Sequence, residues 1–511
     1  MTIYLFLYVA TAASLGLWFL YRTQEDKERG LQRLFFLFFF AYLGVVALAE
    51  ARFGTKLWVL FRDLSVLALL GGLFQAATHK RSWFIGASVA AGALLLWFVP
   101  NQMSGSLSPA DAPQHSYDPD GELLIELAEG SSVEALATPA YKYSLTFAPA
   151  FQVGDPAATE LDDYYTINIP ESHLSDLEAI LRDLQAVPEV DWVEPNERIS
   201  LHPLPAPPAG KVARRFGVND PDVGRLWGFE AMKVHQLYPL LNAQRNPPAK
   251  TALIVILDTG VDAKHEDLSG NYHSLNASDD NDPRGHGTHC AGIAAAVSNN
   301  GVGIASFSVG EKSYVKVSSI KVLNAAGMGT QKSIINGMVK AADAGADVIS
   351  MSLGGLSSQS RERAYRKAVE YAQGKGAIVV AAAGNANRNA KNYVPAAVPG
   401  VISVSAIDST LNRAAFSNYV TDLKMGLAAP GVGIYSTIPG DRYDTYNGTS
   451  MATPYVSGLI GLLKSLRPSL TAAEAYQILR ETGIRTRQPQ ETGPLIQPAE
   501  AVARLLPASE S

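Results

Sequence analysis

The chain reads as an α/β protein: a mainly parallel β-sheet with helices on both faces, preceded by a small α+β unit and an all-α apolar region. Three observations predict this. Apolar runs at 251–257, 315–322, 348–353, 377–383 and 401–407 have the length and β-branched content of strands buried on both faces. Helical patterns near 332–344 and 361–374 fall between them, and such alternation implies a parallel sheet covered on both sides. The first hundred residues have a different composition, with four apolar stretches at 3–21, 31–49, 57–77 and 83–99. At 511 residues the chain is too long for one domain. Its formal net charge is −6, and no basic stripe suggests a nucleic-acid partner. A single cysteine, Cys290, excludes an intrachain disulfide.

Each of the four apolar stretches is about long enough to cross a bilayer core as a helix. Arg62 and Asp63 interrupt the third, and their position suits an interfacial ion pair near a helix end. The first stretch lacks a basic leader and three similar stretches follow, so a cleaved signal peptide is not expected. Basic residues set the orientation. Arg22, Lys27, Arg29 and Arg33 mark the first loop region, and Lys80 and Arg81 the third. The second holds only Arg52 and Lys56, and after Pro100 the next basic residue is Lys142. The first and third loops are therefore expected in the cytoplasm. Everything after residue 100 is expected outside it, at the periplasm or cell surface, with the lipid bilayer as a partner. Trp18, Tyr21, Trp83 and Trp97 fall near the span ends, as aromatic belts do.

Residues 101–120 read as a polar linker. Residues 121–200 read as the α+β unit, with strands at 122–127, 164–169 and 190–196. Its helix at 172–184 carries Leu174, Leu177, Ile180, Leu181 and Leu184 on one face. Residues 201–218 read as a second linker, stiffened by Pro203, Pro205, Pro207 and Pro208. The large α/β domain is expected over 219–506, with a tail at 507–511.

The chemistry gathers in three stretches of that domain. Gly448 permits a tight turn before the apolar helical run 451–466, so Ser450 sits at a helix mouth. There a serine can cap the helix. It can also offer an attacking oxygen beside an unpaired N–H that meets the oxyanion formed. Asp258 ends a buried strand, where open α/β sheets place their sites. His286 opens the helical stretch Gly287-Thr288-His289-Cys290-Ala291-Gly292. Nucleophile, base and orienter are all present, in the order Asp…His…Ser. Cys290, four residues beyond His286, reads as a small buried thiol rather than a nucleophile. Asn385 follows a further strand in a Gly-Asn pair, which by itself marks only a turn.

Together, Asp258-Thr259-Gly260, His286-Gly287-Thr288-His289-Cys290-Ala291-Gly292 and Gly448-Thr449-Ser450-Met451-Ala452-Thr453-Pro454 resemble the three signatures of the subtilisin-like serine proteases, the subtilases. Cys290 and the run 293–300 are most similar to the thermitase branch. The resemblance covers roughly residues 219–506. It implies a subtilisin-like fold and a serine endopeptidase acting on polypeptides through an acyl-enzyme, with no organic cofactor. Catalytic roles are implied for Asp258, His286 and Ser450, with Asn385 as second oxyanion donor. The substrate would add to an edge formed by Ser352, Leu353 and Gly354, with Ala382, Ala383 and Gly384 as a pocket wall. Calcium is implied at Asp220, Asp267 and Asn300, with the carbonyls of Val297, Val302 and Ile304. Residues 121–200, in particular Val193-Glu194-Pro195-Asn196, resemble the family's inhibitory propeptide, an intramolecular inhibitor. Self-cleavage near the second linker would part the enzyme from its anchor, so late or partial processing is expected, or a cut within 214–217. One departure is Tyr455, where the family usually has histidine; altered packing with retained activity is expected. The alternative is a protease fold used as a surface binding module without activity.

Overall fold

A computed structural model describes residues 2–21, 25–48, 63, 67, 121–201, 204–205, 216–244, 247–309, 314–356 and 362–506. The chain divides into two compact units, Met1–His115 and Ser116–Ser511.

In the first unit, α1 (Thr2–Leu20) and α2 (Glu25–Leu48) pack together, with the Tyr8 and Tyr42 rings 5.6 Å apart. These helices coincide with the first two apolar stretches. Counted over the described residues, no helix is long and apolar enough to cross a membrane. Apart from Asp63 and Leu67, the third and fourth stretches lie outside the described residues, as does the 101–120 linker. Arg62 lies outside the described residues, so the ion pair expected there is not described; Asp63 itself is. It is buried, and its carboxylate accepts the Tyr42 hydroxyl at 2.8 Å while its carbonyl accepts that of Tyr8 at 3.3 Å. Those partners lie 21 and 55 residues away, beyond the reach of a local pattern.

The second unit opens with β1 (Leu123–Leu127), α3 (Ala137–Tyr143), β2 (Thr146–Pro149), β3 (Tyr164–Asn168), α4 (Leu177–Gln185) and β4 (Val190–Pro195). They form an antiparallel sheet in the order β2-β3-β1-β4, with Ile180 and Leu184 of α4 in a core with Leu123, Ile125 and Ile167. The single helix expected over 172–184 is instead a 3-10 segment, Glu171–Asp176, running into α4. Leu174 is accordingly exposed, and the apolar stripe starts at Leu177. Next come two short strands, β5 (Arg198–Ser200) and β6 (Leu204–Pro205).

The large domain follows, with α5 (Val234–Ala243), β7 (Ala252–Asp258), α6 (His286–Ala295), β8 (Val315–Lys321), β9 (Met328–Thr330), α7 (Gln331–Asp343), β10 (Val348–Met351), β11 (Gly355–Leu356) and α8 (Glu362–Gly374). It continues through β12 (Ile378–Ala382), β13 (Tyr393–Val394), β14 (Ile402–Ile407), β15 (Gly426–Pro430), β16 (Ile434–Ile438), β17 (Arg442–Asn447), α9 (Thr449–Leu466), α10 (Ala472–Thr482) and α11 (Pro498–Ala503). The central sheet has the order β15-β14-β12-β10-β7-β8, and its neighbouring strands run parallel. Side chains alternate across it as a pleat demands. Ile254 and Ile256 of β7 join the layer of α6 and α9, while Val255 and Leu257 join that of α7 and α8. Helix α9 is mostly apolar and buried from Thr449 to Ser465, as such a helix must be.

From β7 the chain steps to β8 on one side, then crosses to β10 on the other. Strand order therefore reverses at β7. The loops leaving the carboxyl ends there diverge and open a crevice. The second predicted linker is not free in its first part: Leu201 is buried, and β6 pairs with β17. Exposed backbone groups at both places find partners, which composition alone does not show.

Candidate active site

Asp258 is the last residue of β7 and fully buried. Its Oδ1 accepts the Thr259 N–H at 2.8 Å and the Thr259 hydroxyl at 3.2 Å. These bonds fix the carboxylate plane. Both oxygens lie 2.9 Å from His286 Nδ1. A carboxylate so placed selects the tautomer with the proton on Nδ1 and leaves Nε2 as the acceptor. Nε2 is buried and has no hydrogen-bond partner among the described residues.

His286 reaches that position because α6 starts almost on top of the end of β7. Gly287 makes this possible. A Cβ there would fall 2.1 Å from the Gly260 carbonyl oxygen and 3.1 Å from Asp258 Cβ. The helix start is held by Asp282, a residue the sequence pattern did not single out. Its Oδ1 accepts the Gly285 N–H at 2.8 Å and the Thr259 hydroxyl at 2.7 Å. Its Oδ2 accepts both the N–H and the hydroxyl of Thr288, each at 2.8 Å. Asp282 stands outside the N-cap position, which Gly285 occupies, so no capping pattern in the sequence points to it.

Ser450 is the second residue of α9, after Gly448 at φ +153°. Its hydroxyl donates to the Ser352 carbonyl at 3.0 Å, and the Ser352 hydroxyl donates to the Ser450 carbonyl at 2.8 Å. The hydroxyl is thus turned to the Ser352 carbonyl, which takes its proton in a hydrogen bond, and His286 Nε2 accepts no hydrogen bond among the described residues. Asn385 follows β12. Its Oδ1 accepts the Thr449 N–H and hydroxyl, both at 2.9 Å. With the oxygen engaged there, Nδ2 faces the Gly448 side, 3.4 Å from where a Cβ on that glycine would lie. Thr449, also missed by the sequence pattern, therefore decides which end of the amide meets the site.

The neighbouring titratable groups stay out of the chemistry. Burial, with His286 close by, pushes His289 down to about 3. Its ring stacks on Tyr446 at 4.4 Å, and its Nε2 reaches the Ile434 carbonyl at 3.1 Å. Burial raises the Cys290 thiol well above its ordinary range, and Sγ lies 3.5 Å from the Ser450 carbonyl. It is a packed thiol, not a nucleophile.

The segment Ser352, Leu353 and Gly354 leaves β10 beside Ser450. Ala382 ends β12, and Gly384 follows at φ +104° with its N–H on the Thr449 hydroxyl at 3.1 Å. Ala383 does not fit the wall predicted for it. Its N–H donates to the Val404 carbonyl, its own carbonyl accepts Asn418 Nδ2, and its methyl packs with Ala390 and Val420.

Away from this crevice, Asp220, Asp267 and Asn300 come together. The Asn300 N–H donates to Asp220 at 3.1 Å, and its side-chain amide donates to Asp267 at 2.9 Å. Both carboxylates are buried. Burial, reinforced by Asp220, pushes Asp267 up to about 7. Val297, whose N–H donates to the Asp267 carbonyl, and Val302 and Ile304, whose N–H groups donate to Asn300 and Asp267, lie around them. Tyr455 is buried against Phe307, with ring centroids 6.0 Å apart, which is the packing role expected.

The Subtilase family model, Peptidase_S8, matches residues 249–497. Thermitase of Thermoactinomyces vulgaris is 47% identical over 219 residues, covering 42% of this chain and 75% of that protein. The chain is a subtilase. Subtilisin DY of Bacillus licheniformis is 42% identical over 234 residues, 44% of this chain and 81% of the relative. Among solved structures, a protease from Pseudoalteromonas arctica PAMC 21717 is 28% identical with a TM-score of 0.48, covering 57% of this chain and 99% of that one. The subtilase match spans Asp258, His286, Asn385 and Ser450 together, and the protein is a serine endopeptidase.

Proposed function

We propose that this subtilase cleaves polypeptides with Ser450 as nucleophile, His286 as base and acid, Asp258 as orienter, and Asn385 with the Ser450 N–H as oxyanion donors. The observation that carries this is the two-oxygen grip of Asp258 on His286 Nδ1, which leaves Nε2 to accept the serine proton. Rotation of the Ser450 hydroxyl away from Ser352 frees it for that transfer. Ser450 Oγ then bonds to the substrate carbonyl carbon, and the oxygen becomes an oxyanion. His286 returns the proton to the leaving amine, and water hydrolyses the acyl-enzyme by the same path. A serine-directed fluorophosphonate should label Ser450, and Ser450→Ala should abolish both labelling and peptide hydrolysis. Peptide hydrolysis by Asp258→Asn at the wild-type rate would refute the assignment.

The roles of the flanking regions are part of the same proposal. Residues 121–200 act as an intramolecular inhibitor domain. Their buried Glu126 takes Lys367 at 2.7 Å and Arg363 at 2.8 Å on α8, and Glu194 takes Gln331 at 2.7 Å at the start of α7. The four apolar stretches of the first hundred residues tether the enzyme to a bilayer, with the catalytic domain outside the cytoplasm; the basic-residue asymmetry supports this orientation. Resistance to carbonate extraction tests the tether, and digestion by external protease in intact cells tests the side.

Asp220, Asp267 and Asn300 would hold calcium, with the carbonyls of Val297, Val302 and Ile304. The donors are all oxygens, and two buried carboxylates without a lysine or arginine partner among the described residues suit a cation. Bound there, calcium would neutralise the pair and stabilise the fold by mass action.

A further inference from the structure

A proline inside a helix has no N–H to give, so the carbonyl four residues earlier loses its helical donor. In α9 the proline is Pro454, and the carbonyl so deprived is that of Ser450. The proline ring also crowds that carbonyl from the helix side. The whole first turn is buried, and a buried carbonyl needs a donor from somewhere. Two side chains from other elements supply it. The Ser352 hydroxyl, just past the end of β10, donates at 2.8 Å. The Cys290 thiol, on α6, lies at 3.5 Å. Both residues are buried, so water does not compete for the carbonyl. A thiol is a weak donor, which leaves the Ser352 hydroxyl as the main one. The preceding residue is held as well, because Asn385 Oδ1 accepts the Thr449 N–H and hydroxyl. The backbone of the nucleophile is thus gripped on both sides by groups outside its own helix.

We propose that Ser352 is a positioning residue for the nucleophile: its hydroxyl stands in for the N–H that Pro454 lacks and holds the Ser450 backbone still while the Ser450 side chain turns. The inference rests on the peptidase reading above. Ser352 meets Ser450 through two atoms with different tasks. Its carbonyl accepts the Ser450 hydroxyl at 3.0 Å, and that bond must break when the hydroxyl turns to His286 Nε2. Its hydroxyl binds the Ser450 carbonyl, which takes no part in the turn, so that bond survives it. Reaction then needs one side-chain torsion to change, and the Ser450 N–H stays aimed where the oxyanion forms. Without the hydroxyl, the buried carbonyl keeps only the thiol, and the first turn of α9 is free to shift. A misplacement of about 1 Å at such a site costs about a hundredfold in rate. In the same reading Ser352 opens the edge on which the substrate lies. One residue would therefore set both where the peptide rests and where the attacking oxygen stands.

The test uses the full-length chain in membranes or detergent, with two readouts. One is kcat and KM on a short peptide amide. The other is the rate constant of fluorophosphonate labelling, which reads attack by Ser450 without the peptide edge. Threonine and valine have nearly the same shape and differ in the hydroxyl, so Ser352→Thr and Ser352→Val bring the same crowding. Ser352→Val should be slower than Ser352→Thr by roughly tenfold or more, in kcat and in labelling. KM should stay within about twofold, because the backbone edge is unchanged. Pro454→Ala restores an N–H opposite the Ser450 carbonyl. In that background the threonine–valine difference should shrink to about twofold or less, a rescue that a packing role for residue 352 would not give. Equal rates for the two variants, a difference confined to KM, or a difference unchanged by Pro454→Ala would each overturn the proposal. Should Pro454→Ala not fold, as judged by thermal unfolding, the threonine–valine comparison alone decides. If the wild type neither labels nor hydrolyses the peptide, the peptidase reading falls and the positioning role with it. A wild type that does both, with the threonine and valine variants equal, overturns the positioning role alone.

Discussion

Gly287→Ala is the sharpest test of how this fold makes its catalytic pair. The added carbon would lie 2.1 Å from the Gly260 carbonyl oxygen, against an ordinary contact of about 3.5 Å. Something must move by roughly 1 Å or more. Both contacting groups are backbone or buried: the Gly260 carbonyl and Asp258 Cβ, at the end of a central strand. The movable partner is therefore the start of α6, which carries His286. The His286–Asp258 contacts are 2.9 Å, and a hydrogen bond weakens beyond about 3.2 Å. A shift of that size breaks the pair, and misplacement by 1 Å costs about a hundredfold in rate. The expected loss in kcat/KM is thus about a hundredfold, with an overpacking cost of about 1–3 kcal/mol in stability. The assay is hydrolysis of a short peptide amide beside thermal unfolding of the same samples. Gly374→Ala is the control, because a Cβ there meets nothing within 4 Å. Wild-type kcat/KM in a stably folded Gly287→Ala protein would refute the reasoning, since it would mean that α6 need not sit where it does.

Asn385→Ala should lower kcat by about a hundred- to thousandfold with little change in KM, the established loss for the matching donor in a subtilisin. Thr449→Val removes one of the two bonds that orient the amide, and should give a smaller loss of the same kind, read from the same kcat and KM measurements. Asp282→Ala leaves the buried donors of Gly285 and Thr288 without their acceptor and should cost about 1–3 kcal/mol, measured by denaturant unfolding. For calcium, burial keeps Asp267 protonated up to about 7 in the metal-free fold, whereas an unfolded aspartate ionises near 4, about its reference value. The metal-free fold holds a proton that the unfolded chain has released. That contribution to stability is fully present below about pH 4 and is lost as pH rises through 7. Calcium needs the anion, so its stabilising effect on Tm should grow from pH 5 to pH 8; an equal calcium shift at both would contradict this site.

Much of the large domain was legible because its strands are buried on both faces. The runs ending at Asp258, Met351 and Ala382 are too apolar and too short to be anything else, and the loops after them bear the site. Ser450 was legible for a related reason: a helix as apolar as α9 must be interior, so its first turn must emerge at a sheet end. The rest depended on contacts between distant segments. β15 is Gly-Leu-Ala-Ala-Pro, whose small residues carry little strand signal until a neighbouring strand supplies its ladder. Asp282, Thr449 and Ser352 act through hydrogen bonds to backbone groups that converge only after folding. The Tyr42 and Tyr8 hydroxyls that meet Asp63 come from two other helices, 21 and 55 residues away, beyond any local pattern.

The second linker misled for a deeper reason. Proline-rich composition reads as a spacer because proline cannot complete a ladder. Here the pairing is set by partners far along the chain: Arg198–Ser200 lie on β9, the Leu201 N–H reaches the Gly327 carbonyl, and Leu204 and Pro205 lie on β17. Composition carries no sign of partners more than a hundred residues away, so a stretch whose first part is held reads as a spacer.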